Sequence, residues 1–210
     1  MSPELIETIL VTATRDMPLL PRHLVRLASS AQDLGYRCDE MGVETQVRAA
    51  ARALTAPGPH RLRLLLDRAG QCTIQTAPLA PLPLVQEILI APETLNASEP
   101  LLRYKTTHRP WYTKTIEWLP SHPHIFDLVY INQRGEVCEG SRSNVYVQQG
   151  ERWYTPPIDS GCLPGVQRAA LLDANDVHER VLTVQDLREA RALRLSNALR
   201  GWFDVVLRDA

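Results

Sequence analysis

Three prolines fall within seven residues in the segment PLAPLPL, residues 78–84. Proline locks its own φ and has no N–H to give to a ladder, so this stretch cannot continue a helix or an interior strand. The chain is divided there. Residues 1–80 read as a small α/β lobe, 81–84 as a stiff linker, and 85–210 as a larger lobe. With 210 residues there is enough chain to bury a sizeable core. Hydrophobic residues at 44% and charged residues at 22% exclude wholesale disorder.

Hydropathy patterning fills in the lobes. Residues 4–12 mix β-branched and apolar positions and predict a strand. Leu24, Leu27, Ala28, Ala31 and Leu34 recur at helical spacing, so 20–36 predicts a helix with Gly35 at its C-terminal stop. A second helix is expected over 43–54, then strands over 61–67 and 72–77 joined by the turn Arg68-Ala69-Gly70. Beyond the linker, a strand over 85–91 leads into an irregular stretch from 92 to 103, and 109–119 is expected to be helical. Strands follow at 126–132, 136–139, 143–148 and 152–155. A helix over 164–173, a strand over 177–182, a helix over 184–191 and strands over 192–196 and 203–207 complete the pattern. The class is α+β with two lobes.

Charge and motifs narrow the function. Lys+Arg is 23 against 24 Asp+Glu, a net charge of −1, which leaves no basic surplus for nucleic acid or an anionic membrane. No apolar run reaches the roughly 18–20 residues that span a bilayer. The opening residues lack a basic start and a cleavage site. Cys38, Cys72, Cys138 and Cys162 form no CxxC and read as reduced thiols of a cytoplasmic protein. The dinucleotide, P-loop, nucleophile-elbow and HExxH motifs are absent. His122 and His124 flank Pro123 without a carboxylate or cysteine at matching spacing, so no metal site is expected.

Only two of the basic residues are lysines, Lys105 and Lys114. Chemistry that needs a neutralisable amine has these two candidates, because guanidinium stays charged. Glu139, in GEVCEGSRSNVYV, stands at a strand end where a carboxylate can face inward. The segment TPPIDSGCLPGVQRAALLD, 155–173, opens a helix near Pro164. Free N–H groups and the positive dipole end make such a start an anion cradle, and Gly165 allows close approach. Arg22 and Arg26 lie four apart on the first predicted helix, and either suits a phosphate.

Taken in order, these segments resemble the fold-type IV pyridoxal-phosphate enzymes, the class IV aminotransferase family. That family includes branched-chain and D-amino-acid aminotransferases and 4-amino-4-deoxychorismate lyases. The resemblance runs through LIET, PLLPRHLVRLASSAQDLGY, YKTTHR, RGEVCEGSRSNVYV, YTPPIDSGCLPGVQRAALL and RLSNALRGW. It implies a D-amino-acid aminotransferase-like fold, with a small α/β lobe and a larger lobe around a β-barrel-like core. The cofactor implied is pyridoxal 5′-phosphate, sitting between the lobes. Lys105 matches the lysine bonded to the cofactor. Glu139 matches the carboxylate that pairs with the pyridine nitrogen, and Arg26 the arginine on the phosphate. Val166 and Gln167 match the helix-start N–H donors. Ala198 stands where relatives carry a phosphate-binding hydroxyl, with Ser196 or Asn197 as substitutes.

KTTHR and SNALRGW look most like the lyase branch, which releases 4-aminobenzoate and pyruvate from 4-amino-4-deoxychorismate on the way to folate. Thr8 falls where the lyases place a hydroxyl for proton delivery, and Arg63 or Arg109 would take a substrate carboxylate. Transamination of branched-chain or D-amino acids is the alternative. A non-catalytic lyase-like domain in a folate-pathway assembly is a further one. The expected partners are a small-molecule amine substrate and a second copy of the chain in a homodimer.

Overall fold

A computed structural model describes residues 3–83 and 85–208. Leu84, the last residue of the linker at 81–84, lies outside the described residues, as do residues 1–2 and 209–210 of the two lobes. Contacts divide the chain into two compact units, Met1–Pro81 with Tyr104–His108, and Leu82–Arg103 with Arg109–Ala210.

The first unit contains β1 (Leu5–Val11), α1 (Leu20–Leu34), α2 (Glu40–Arg52), β2 (His60–Leu66) and β3 (Cys72–Pro78). The strands form an antiparallel sheet in the order β1-β2-β3. Burial alternates along β1 and β2, so Leu5, Ile9, Val11, Leu62, Leu64 and Leu66 fall on one face. They pack with Leu20, Leu27 and Ala31 of α1 and Val43, Val47 and Ala51 of α2. The helix α1 begins with proline in its first turn and ends at Gly35, whose φ of 70° is the left-handed stop that glycine adopts without strain.

Residues 104–108 also belong to this unit, where the proline-based division assigns them to the larger lobe. Ile6 N–H donates to the Lys105 carbonyl at 2.8 Å, and Thr107 N–H to the Glu4 carbonyl at 2.9 Å. Leu5 and Thr106 bridge antiparallel. The segment is thus a short added edge on β1, a long-range pairing that no local pattern announces.

The second unit contains β4 (Glu87–Leu95), α3 (Thr113–Trp118), β5 (Ile125–Asn132), β6 (Val137–Gly140), β7 (Asn144–Gln149) and β8 (Arg152–Thr155). After these come α4 (Val166–Asp173), β9 (His178–Glu179), α5 (Val184–Arg188), β10 (Ala192–Asn197) and β11 (Gly201–Leu207). Eight strands make one sheet in the order β6-β5-β4-β11-β10-β7-β8-β9. Between β6, at one edge, and β7, five places along, lie only residues 141–143, and Gly140 N–H donates to the Ser143 carbonyl at 2.8 Å. A flat sheet cannot make that connection, so the sheet curls into a half-barrel. Ile88, Val129, Val137, Val145, Val147, Leu182, Leu195 and Val205 belong to one of its cores.

The helix expected over 184–191 ends at Arg188, and within 109–119 only Thr113–Trp118 is α-helix. Two strands also differ from the expectation. β4 runs through Pro92 to Leu95, because a register shift between Ile90 and Thr94 accommodates a residue that cannot donate. The strand expected over 177–182 splits. His178–Glu179 pair with β8, whereas the Leu182 carbonyl accepts from Val137 N–H.

Candidate active site

In the first unit, alternation sorts the side chains. Thr106 is fully buried beside Leu5, so Lys105 points to the opposite face of the sheet and is half-buried there. Thr8 alternates with core-facing Glu7 and Ile9, and it pairs with Arg63 on β2. An amine, a hydroxyl and a guanidinium therefore share one sheet face. The Arg63 Nε is buried and makes no hydrogen bond among the described residues.

Arg26 lies on the helix side of that sheet. Its Nε donates to Glu7 Oε1 at 2.9 Å, and a terminal nitrogen donates to Oε2 at 2.5 Å. His23 Nδ1 is 2.6 Å from the same Oε2. Glu7 is 2% exposed and His23 1%. Burial is the largest single influence on the Glu7 carboxyl and would raise its pKa. The Arg26 charge and the hydrogen bonds from His23 and Arg26 together outweigh it, holding the pKa down at about 2. Sequence reading missed Glu7, although an acid interrupting the apolar row Leu5, Ile9, Val11 was a visible signal. It also missed that the fork assigned to a phosphate is clasped by a carboxylate.

This ion pair has a pH signature. The folded pKa lies below the ordinary 4.5, so its stabilisation is fully present above about 4.5 and is lost as pH falls toward about 2. Thermal unfolding followed down through that window should fall more steeply for the wild type than for Glu7→Gln. Equal slopes would remove the pair from the acid response.

In the second unit, Glu139 is 4% exposed near the end of β6. Tyr112 O–H donates to its Oε1 at 2.6 Å and Leu163 N–H to its Oε2 at 3.0 Å. Two residues after Leu163, Gly165 caps α4, and among the described residues no side chain caps that helix start by a hydrogen bond. A Cβ at Gly165 would lie 2.0 Å from Asn144 Oδ1. Only glycine fits there, and Val166 and Gln167 follow it as the first residues of α4, with first-turn N–H groups that have no intrahelical acceptor. One turn, 163–165, thus ties an inward carboxylate to an uncapped helix N-terminus.

The turn from Gly140 to Ser143 that follows Glu139 is held by Asp127, fully buried on β5. Its carboxylate accepts from the Leu128, Ser141 and Arg142 N–H groups and from the Ser141 and Ser143 hydroxyls, at 2.6 to 3.0 Å. Asp127 escaped the sequence reading because FDLVYIN looks like a plain apolar strand.

Three expected contributors already have partners in the structure. Arg109, expected at a substrate carboxylate, donates to the Ser141 carbonyl at 2.5 Å and lies 4.6 Å over the Tyr112 ring. Ser196 is fully buried and bonded to the Tyr146 hydroxyl at 2.7 Å, and Asn197 Oδ1 accepts from the N–H groups of Leu199 and Arg200. Ala198, in the turn between β10 and β11, has only its backbone to offer.

Comparison with known proteins shows the family. The family model described as Amino-transferase class IV matches residues 4–207. "Putative aminodeoxychorismate lyase" of Schizosaccharomyces pombe is 29% identical over 189 residues, 87% of this chain and 80% of that protein. The crystal structure of a "Putative amino-acid aminotransferase" from Mesorhizobium loti is similar at 36% identity and a TM-score of 0.90, covering 99% of this chain and all of that one. The PLP-bound form of "A hypothetical aminotransferase" from Mycobacterium tuberculosis shares the fold, with a TM-score of 0.81 at 23% identity over 97% of this chain and 81% of that one. The chain belongs to the amino-transferase class IV family.

Proposed function

We propose that this chain is an aminodeoxychorismate lyase, a cytoplasmic homodimer that converts 4-amino-4-deoxychorismate to 4-aminobenzoate and pyruvate, supplying the folate precursor. Its family depends on pyridoxal phosphate. The residues present fit that cofactor. The uncapped α4 start, with a glycine that excludes a Cβ, suits the phosphate, with Val166 and Gln167 N–H groups holding it. The buried Glu139 carboxylate suits a protonated ring nitrogen, and Lys105 Nζ would hold the cofactor covalently. When bound, the cofactor supplies an electron sink next to the substrate nitrogen.

The observation that carries the lyase reading is the shared sheet face of Lys105, Thr8 and Arg63. Elimination of pyruvate from a dicarboxylate needs a base on carbon, a proton donor and a cation for a carboxylate. Lys105 Nζ takes the proton from carbon, the Thr8 hydroxyl delivers one to the departing enolpyruvyl group, and Arg63 binds a carboxylate. Similarity to the S. pombe protein over most of the chain supports the same reading.

The M. loti relative favours a second reading, transamination, in which Lys105 Nζ performs the same first proton transfer and returns the proton elsewhere. The protein loaded with pyridoxal phosphate is given 4-amino-4-deoxychorismate, and separately amino acids with a 2-oxoacid acceptor. Release of 4-aminobenzoate and pyruvate is expected. Keto-acid formation alone would replace the lyase reading with the second.

A further inference from the structure

We infer that Tyr112, with Arg109 laid on its ring, is a positioning residue that keeps the Glu139 carboxylate aimed, and so sets how tightly this chain grips the pyridine nitrogen of its cofactor. The inference rests on the pyridoxal-phosphate reading above and deepens it.

A buried carboxylate is expensive unless donors meet its oxygens. Here each oxygen receives one, Tyr112 O–H on Oε1 and Leu163 N–H on Oε2, which fixes the carboxylate plane. Burial, with the Glu139 charge next, pushes the Tyr112 phenol well above its ordinary pKa. The hydroxyl therefore always carries its proton and always donates. The ring is 1% exposed and held edge-on by Tyr130, with centroids 4.9 Å apart.

Arg109 adds a second hold. Its guanidinium over the Tyr112 ring draws electron density from the phenol and makes O–H a better donor. The same guanidinium donates to the carbonyl of Ser141, two residues beyond Glu139. Residues 109–112 and 139–141 are therefore joined at both ends, once through Tyr112–Glu139 and once through Arg109–Ser141. A tyrosine that only filled space would need neither the hydroxyl contact nor the cation.

The test uses the full chain and two ligands, pyridoxal phosphate and its 1-deaza analogue, in which carbon replaces the ring nitrogen. Tyr112→Phe should weaken pyridoxal phosphate by roughly tenfold and leave the deaza analogue nearly unchanged, the loss expected when one hydrogen bond to a buried charge is removed. Arg109→Met, which keeps bulk without charge, should show the same selectivity with a smaller loss, and thermal unfolding checks that both variants fold. Equal losses for the two ligands, or none for either, would overturn the inference and leave the cofactor reading standing. If the wild type takes up neither ligand, both fall.

Discussion

Lys105→Ala is expected to lower turnover by about 10⁴-fold or more while leaving the protein folded, because it removes both the covalent anchor and the proton carrier. The fold should survive, since alanine keeps the Lys105 carbonyl, which accepts from Ile6 N–H in the first unit's sheet. No substitute amine is at hand. The other lysine, Lys114, is 80% exposed and paired with Glu93 at 2.9 Å, and an arginine cannot release its proton at working pH. Borohydride reduction followed by intact mass measurement should show the wild type gaining one cofactor and the variant none. A variant that retains turnover would falsify the role of Lys105.

Asp127→Ala is expected to cost about 3–5 kcal/mol of stability, the penalty for leaving several donors unsatisfied in a buried site. Four of the five donors it abandons, from Ser141, Arg142 and Ser143, hold the turn between Glu139 and Asn144. For a chain of this size the loss corresponds to a drop of roughly 10 °C in the unfolding midpoint. Asp127→Asn should cost less, because Oδ1 still meets the Ser141 donors. Urea or thermal unfolding decides the matter, and a loss below about 1 kcal/mol would show the turn to be held by other means.

These two positions sit at opposite ends of what the sequence discloses. Lys105 stands out by scarcity and by its YKTTHR context, and the order of motifs around it pointed to the family later shown by the match over residues 4–207. Asp127 has no such context. Its role exists only because β5 and the turn at 140–143 meet in the curled sheet. Glu7, His23 and Tyr112 are alike in this respect. Each is held by a partner 16 to 27 residues away in the chain.

Local physics accounts for the division. Helix stops, the alternation of β1 and β2, and the glycine at the start of α4 follow from residues within a few positions of one another, so element order and family were readable from the chain alone. Which guanidinium is clasped by a carboxylate, which carboxylate receives two donors and which sheet gains the Lys105 segment depend on pairings such as Glu4 with Thr107, 103 residues apart. Hydrogen bonds and ion pairs act over a few ångströms of space whatever the separation in sequence, and only the tertiary structure decides which groups come that close.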